Sequence, residues 1–332
     1  MEKIADTSKR INGIFNTVEP VLNEYHKEIA VKTTKGLFGR LSSNQTTIMI
    51  CGEFKRGKST FVNALLNMDL CPTDEHIATS TVSIIKYGDN QKVTRLYETA
   101  DGVREEVVDY AKISQYAKGT DLEIDNTLML IIEVPCKRLK NGLTIIDTPG
   151  VGGLNPKHRL LTLSAIPKTD AIFYMVSAGE PMTTIELDFL KDDILPKSKV
   201  CKVLLNRVDL LDEEEREKAV NDCKKKIVGN CNVDDIDIVP VSAYLWNEYN
   251  RTHDEIDKAV SCCDSIEKTI DDICHDYRLS LLNMVKQTLV EAIQSILSLI
   301  KEELDNLTDP NPEKINKIIA NREKLQTMLG GL

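Results

Sequence analysis

The spacing of apolar positions divides the chain into three parts. Ile4, Ile11, Ile14, Phe15, Val18, Val21, Leu22, Tyr25 and Ile29 recur at three- and four-residue intervals. That spacing predicts an amphipathic helix over 3–30, with an interruption expected near Pro20. Residues 32–45 are polar and contain glycine, which reads as a linker. Between Thr47 and Trp246, β-like runs alternate with helical ones. The runs fall at 47–51, 82–87, 92–98, 128–134, 143–147, 171–176, 200–205 and 236–241. This is the pattern of an open α/β sheet. The part 82–134 reads as added strands with one helix near 105–117, and Tyr87-Gly88-Asp89-Asn90 reads as a hairpin turn.

After about residue 250 the strand pattern gives way. Ile266, Ile270, Ile273, Tyr277, Leu281, Leu282, Val285, Leu289, Ile293, Ile296, Ile300, Leu304 and Leu307 form a long three-four repeat. Thr308-Asp309-Pro310-Asn311-Pro312 breaks it, and a second stripe follows with Ile315, Ile318, Ile319, Leu325 and Met328. Such helices cannot bury their apolar faces alone, so the terminal helices are expected to pack as a bundle beside the α/β region. The expected organisation is a helical segment at 1–45, an α/β domain at 46–250 and a second helical segment at 251–332. The last residues, Leu329-Gly330-Gly331-Leu332, show no obvious closing element, as in a truncated chain or a short natural form.

The candidate chemistry sits at the ends of the strands. Gly52-Glu53-Phe54-Lys55-Arg56-Gly57-Lys58-Ser59-Thr60 contains G-x-x-x-x-G-K-[ST] between an apolar run and a helical one. This is the context of a phosphate-binding loop. Its glycines let successive N–H groups face phosphates, and the helix N-terminus adds its dipole. Lys58 can reach the β- and γ-phosphates, and the Ser59 hydroxyl can ligate Mg²⁺. Leu143-Thr144-Ile145-Ile146 leads into Asp147-Thr148-Pro149-Gly150. Asp147 is placed near Mg²⁺ through water, and the Gly150 N–H can meet the γ-phosphate. Asn206-Arg207-Val208-Asp209 is close to the N-K-x-D guanine signature, with arginine in place of lysine. A carboxylate accepts two hydrogen bonds from guanine that adenine cannot offer. Ile238-Val239-Pro240-Val241 ends in Ser242-Ala243, where the base-binding loop of GTPases lies. In this order the four signals point to GTP, with GDP as product and Mg²⁺ as cofactor.

Composition narrows the reading. The chain has 332 residues, of which 42% are hydrophobic and 28% charged, as in soluble globular proteins. The net charge of -10 argues against broad nucleic-acid binding. Nine cysteines without C-x-x-C pairs read as reduced thiols of a cytoplasmic protein. Residues 1–30 are too charged for a signal peptide, and no apolar run approaches the ~20 residues of a membrane span.

The whole arrangement resembles the dynamin superfamily, in particular bacterial dynamin-like proteins. The resemblance rests on the 52–60 loop, on the Pro72 to Tyr87 stretch ending Ile84-Ile85-Lys86-Tyr87-Gly88, and on Glu133-Val134-Pro135 ahead of Asp147-Thr148-Pro149-Gly150. It implies a P-loop GTPase fold with an extended mixed β-sheet, helices on both faces and a helical bundle from both chain ends. It also implies weak GTP binding, dimerisation across the nucleotide face with a like or unlike partner, hydrolysis on dimerisation, and membrane remodelling through the bundle. Lipid contact would come through a missing region or a partner, at the inner face of the membrane. Carried over by position, the first switch spans Thr73 to Thr81, with Thr79 as the Mg²⁺ threonine and Thr81 as the alternative. The second switch runs from Gly150 to about His158. Val151 follows Gly150, so the glutamine that small GTPases use to position water is absent. His76 and His158 read as surface or packing residues rather than bases. Many relatives carry a serine at Lys55 that helps hold a monovalent cation. Either the Lys55 ammonium takes that cation's place, or the side chain points to solvent or a partner. Arg56 is a candidate arginine finger with the same alternative, and Asp212-Glu213-Glu214-Glu215 reads as a helix start. Two other readings stay open: a stand-alone regulatory GTPase, and a GTP-binding assembly module that hydrolyses weakly.

Overall fold

The computed structural model describes residues 2–71, 81–110, 126–150, 156–306 and 311–332. The chain forms two compact units, one of Met1–Asn44 with Cys274–Leu332 and one of Gln45–Ile273. The apolar pattern had put the second boundary near residue 250. Residues 251–273, most of them helical, instead group with the α/β unit.

The α/β unit is built on nine strands: β1 Thr46–Cys51, β2 Val82–Tyr87, β3 Lys92–Thr99, β4 Gly102–Val108, β5 Thr127–Val134, β6 Leu143–Asp147, β7 Ala171–Ser177, β8 Cys201–Asn206 and β9 Ile238–Val241. Their order in the sheet is β4-β3-β5-β2-β6-β1-β7-β8-β9. From β6 to β9 neighbouring strands run parallel; β2 is antiparallel to β6, and β3 is antiparallel to both β4 and β5. The sheet is therefore mixed, with helices on both faces. Every residue of β7 is buried, as a central strand covered on both sides requires. Phe61 stands edge-on to Phe173 of β7 and to Trp246, with ring centroids 6.3 and 5.8 Å apart. Pro240 sits in β9 at the edge of the sheet, where a missing N–H costs least.

Two expectations fail in the outer half of the sheet. The residues after Tyr87 do not close a hairpin. Tyr87 pairs with Val134 and Lys92 with Glu133, so β5 lies between β2 and β3. The helix expected near 105–117 is not found at its start, because residues 105–108 belong to β4; residues 111–125 lie outside the described ones. β4 is an edge strand whose Val103 and Val107 are exposed and whose middle is Arg104-Glu105-Glu106. It lacks the alternation that marks a half-buried strand.

The helical unit begins with α1, Glu2–Glu24, and α2, Glu28–Ser43. The helix runs through Pro20, with Val21 and Leu22 buried directly after it. The break falls instead at Tyr25–Lys27, where His26 has φ 55°. Residues 32–45 are not a linker, since most of them lie in α2. Val31, Thr34 and Leu37 bury one side of that helix while Gly36 and Gly39 face solvent. The remaining helices, in chain order, are α3 Lys58–Leu66, α4 Pro156–Ala165, α5 Thr184–Phe189, α6 Glu213–Cys231, α7 Ala243–Thr252, α8 Glu255–Ser261, α9 Cys263–Asp305 and α10 Pro312–Gly330. One apolar cluster joins Ile11, Phe15, Val18 and Leu22 of α1 to Leu281, Val285, Leu289, Ile293 and Ile296 of α9 and to Ile318 and Leu325 of α10. The bundle formed by both chain ends is thus present.

Candidate functional site

The 52–60 loop leaves β1 and enters α3 at Lys58. Its shape depends on close backbone approach. A Cβ on Gly52 would lie 2.2 Å from the Met175 carbonyl oxygen, and one on Gly57, at φ 90°, would meet the Asn206 amide at 2.3 Å. A Cβ on Gly150 would come within 2.6 Å of Phe54 Cα. The D-x-x-G turn therefore packs directly on the loop. Lys55, between these glycines, has φ 62°, a left-handed conformation uncommon for a residue with a side chain.

Lys58 is buried, and its ammonium donates to the carbonyl oxygens of Gly52 at 3.1 Å and Glu53 at 2.9 Å. Burial pushes its pKa down, opposed by the Asp147 carboxylate. Ser59 Oγ donates to Asp147 Oδ2 at 3.2 Å. Asp147 is fully buried, and burial raises its carboxyl pKa from 3.8 to about 6 against the pull of Lys58 and Ser59. Its Oδ1 has no hydrogen-bond partner. Thr148 Oγ1 donates to Ile50 O at 2.9 Å and fixes the start of the turn.

The Asn206-Arg207-Val208-Asp209 segment forms beside this. Asn206 Nδ2 donates to Arg56 O at 2.8 Å, and Asn206 Oδ1 accepts from the Ala243 N–H at 3.1 Å. Arg207, at φ 68°, donates to Lys55 O at 2.9 Å. Asp209 lies in a short 3₁₀ turn, and its buried Oδ1 is unpartnered. Ser242 Oγ accepts from the Leu245 N–H and caps α7, while the Ser242 N–H donates to Ser261 O at 3.0 Å. The structure thus gathers Gly52, Lys55, Arg56, Gly57, Lys58, Ser59, Asp147, Gly150, Asn206, Arg207 and Ala243 into one continuous set of contacts. Thr79, His76 and Val151 lie outside the described residues; Thr81 is buried at the start of β2.

Two expected residues have other engagements. The Lys55 side chain is exposed, with Nζ 5.4 Å from the Phe54 ring centroid. Arg56 is held by carboxylates. Nε donates to Glu186 Oε1 at 2.7 Å, and a terminal nitrogen donates to Glu53 Oε2 at 2.6 Å.

Several residues of the site carry no signature at motif spacing. Asn63 bonds Cys71 O through Nδ2 and accepts the N–H groups of Leu70 and Cys71, shaping the chain at Leu70 and Cys71. It could have been noticed as a polar residue inside the run Phe61–Leu66. Glu186 could have been noticed as the fourth residue of the capping pattern Thr183-Thr184-Ile185-Glu186. Arg216 donates to Val208 O at 3.3 Å, next to Asp209.

With this geometry in place, residues 48–208 match the family described as Dynamin family. The matched stretch, just under half of the chain, lies within the α/β unit and carries the phosphate loop, the Asp147 motif and Asn206. The chain is 28% identical over 263 residues to a protein of the xynA 3′ region of Caldicellulosiruptor sp. (strain Rt8B.4), a match covering 78% of this chain and 64% of that one. It is 27% identical over 240 residues to the bacterial dynamin-like protein of Nostoc punctiforme, covering 64% of this chain and 34% of that one. Its fold is similar to a solved structure described as an oligomerised bacterial dynamin pair. The TM-score is 0.68 at 18% identity, over 98% of this chain and 50% of that one. The chain thus spans between a third and about two thirds of the length of these relatives. Its α/β unit has the fold of a dynamin-type GTPase domain.

Proposed function

We propose that this chain is a dynamin-like GTPase. It hydrolyses GTP to GDP and phosphate, pairs across its nucleotide face with a second GTPase domain of like or unlike chain, and couples the cycle to its helices and to remodelling or assembly at a membrane. The observation that carries the reading is Asp209 Oδ1, a buried acceptor with no partner. An unpaired buried acceptor costs about 1–3 kcal/mol. Guanine N1–H and N2–H₂ relieve that cost and adenine does not, so the site favours GTP over ATP.

The phosphate end supports Mg²⁺. Among the described residues no group of three or more His, Cys, Asp and Glu side chains comes together. A cation here would rest on the Ser59 hydroxyl, the free oxygen of Asp147 and phosphate oxygens, an oxygen donor set that suits Mg²⁺. When bound, Mg²⁺ offsets negative charge between the β- and γ-phosphates. Thr79 is assigned as the switch threonine. Lys58 neutralises the phosphates, the Gly150 N–H senses the γ-phosphate, and Arg207 fastens the base loop to the phosphate loop. The Lys55 ammonium, exposed beside the Phe54 ring, is assigned the place of a monovalent cation.

Val151 supplies no amide to position water, so efficient hydrolysis is assigned to the paired state. The description of the similar solved structure, a dynamin pair for the sensing and tethering of membranes, supports pairing and a role at a membrane; a peripheral place at its cytoplasmic face is part of this proposal. Among the described residues no helix is long and apolar enough to cross a membrane. GTP turnover measured against protein concentration tests this reading. Specific activity that rises with concentration supports it. A flat, low rate replaces it with a GTP-binding assembly module.

A further inference from the structure

The guanidinium of Arg56 bridges two carboxylates, and one of them is completely buried. Glu186 has a side chain with no exposure, and among the described residues Arg56 is the one cation that pairs with it. The other Glu186 oxygen, Oε2, accepts the Thr183 N–H at 2.9 Å, and the Glu186 N–H returns a bond to Thr183 Oγ1 at 3.2 Å. Tyr174 of β7 donates its hydroxyl to Glu186 O at 3.0 Å. The first turn of α5 therefore holds the carboxylate, and the central strand holds the Glu186 backbone, independently of Arg56.

We propose that Glu186 is a positioning residue for the phosphate loop. The inference rests on the nucleotide-site reading above. Arg56 lies between two positive-φ positions, Lys55 at 62° and Gly57 at 90°. The chain changes direction on both sides of it, so its orientation sets the path of the loop. Its carbonyl is held by Asn206 at 2.8 Å and its side chain by Glu186 at 2.7 Å. Its second bond holds Glu53, whose carbonyl accepts Lys58 Nζ at 2.9 Å. A continuous line of contacts thus runs from Glu186 through Arg56 and Glu53 to the lysine that meets the phosphates. The arrangement also offsets the charge of Arg56 with two carboxylates. Preorganised groups bind through such supports, and small displacements are costly.

Three variants test this. Glu186→Gln keeps the shape and can still accept from Thr183, but it loses the charge that holds Arg56. Its affinity for GDP and for GTP with Mg²⁺, read by calorimetry, is expected to fall on the order of tenfold. Arg56→Met leaves the buried carboxylate alone and is expected to lower Tm, because a broken buried pair is worse than none. Arg56→Met combined with Glu186→Gln is expected to recover Tm while GDP affinity stays low. A purely structural pair would restore both together. Wild-type affinity in the double variant, or in folded Glu186→Gln, overturns the inference. A wild-type protein that binds neither GDP nor GTP overturns the nucleotide-site reading instead.

Discussion

Ser59 Oγ donates to Asp147 Oδ2 across 3.2 Å, joining the first turn of α3 to the last residue of β6. The bond sets a hydroxyl beside a buried carboxylate, the two oxygen donors proposed above for Mg²⁺. It is too weak an offset to keep the carboxyl at its ordinary acidity.

That imbalance sets a pH dependence. Burial raises the Asp147 pKa from 3.8 to about 6. Between those values the folded protein holds a proton that the unfolded chain has released. Its contribution to stability is therefore lost as pH rises through this window, by up to about 3 kcal/mol. In chelator, the metal-free protein should lose stability from pH 4 to pH 6 relative to Asp147→Asn. Parallel thermal-unfolding curves for the two proteins across that range would count against it.

Asp209 should decide the base. Asp209→Asn is expected to weaken GTP by roughly 10²-fold, the loss of paired bonds to a charged acceptor. It should also favour xanthosine triphosphate, whose C2 carbonyl accepts where guanine donates. Competition binding with both nucleotides reads this. An undiminished preference for GTP would remove Asp209 from base recognition.

Lys55 should make turnover indifferent to the monovalent salt. Rates in potassium, sodium and choline at equal ionic strength are expected to agree, because a fixed ammonium needs no exchange with solvent. Lys55→Ser should lower the rate by ~10²–10³-fold, as for other preorganised charge-stabilising groups, and make it respond to potassium. A wild-type enzyme that already requires potassium would leave Lys55 to its contact with Phe54.

Leu289 and Ile293 are both fully buried in the helical unit. Replacing both with Asp sets two carboxylates in an apolar seam at a cost of several kcal/mol, comparable to a domain's whole margin. Limited proteolysis should then cut α9 beyond Cys274 while the α/β unit survives. Helices that stay resistant would mean the seam tolerates charge.

Much of this was legible in the chain. The central strands announce themselves because both of their faces are buried, and the nucleotide motifs because backbone approach demands glycine at Gly52, Gly57 and Gly150. α2 was hidden because Gly36 and Gly39 sit on its solvent face, where they cost helix propensity without disturbing packing. β4 was hidden because an edge strand keeps charges and exposes its valines. Pro20 misled because the burial of Val21 and Leu22 outweighs its local cost. Glu186 was legible as a helix-capping residue but not as a partner of Arg56, and Arg216 was not legible as a neighbour of Asp209, since those contacts are set by tertiary proximity and not by spacing.

The place of β5 also governs the order in which the sheet can assemble. β2 finds its lateral partners only in β5 and β6, as Val82 with Met129 and Ser83 with Asp147. A growing chain therefore carries β2 unpaired until residues far downstream have been made. Local zipping, the quick route for a hairpin, is closed to it, and non-local pairing of this kind folds slowly. Pulsed hydrogen exchange during refolding should show the amides of β2, β3 and β5 gaining protection together. Earlier protection of β2 and β3 would reveal a transient hairpin that must open to admit β5.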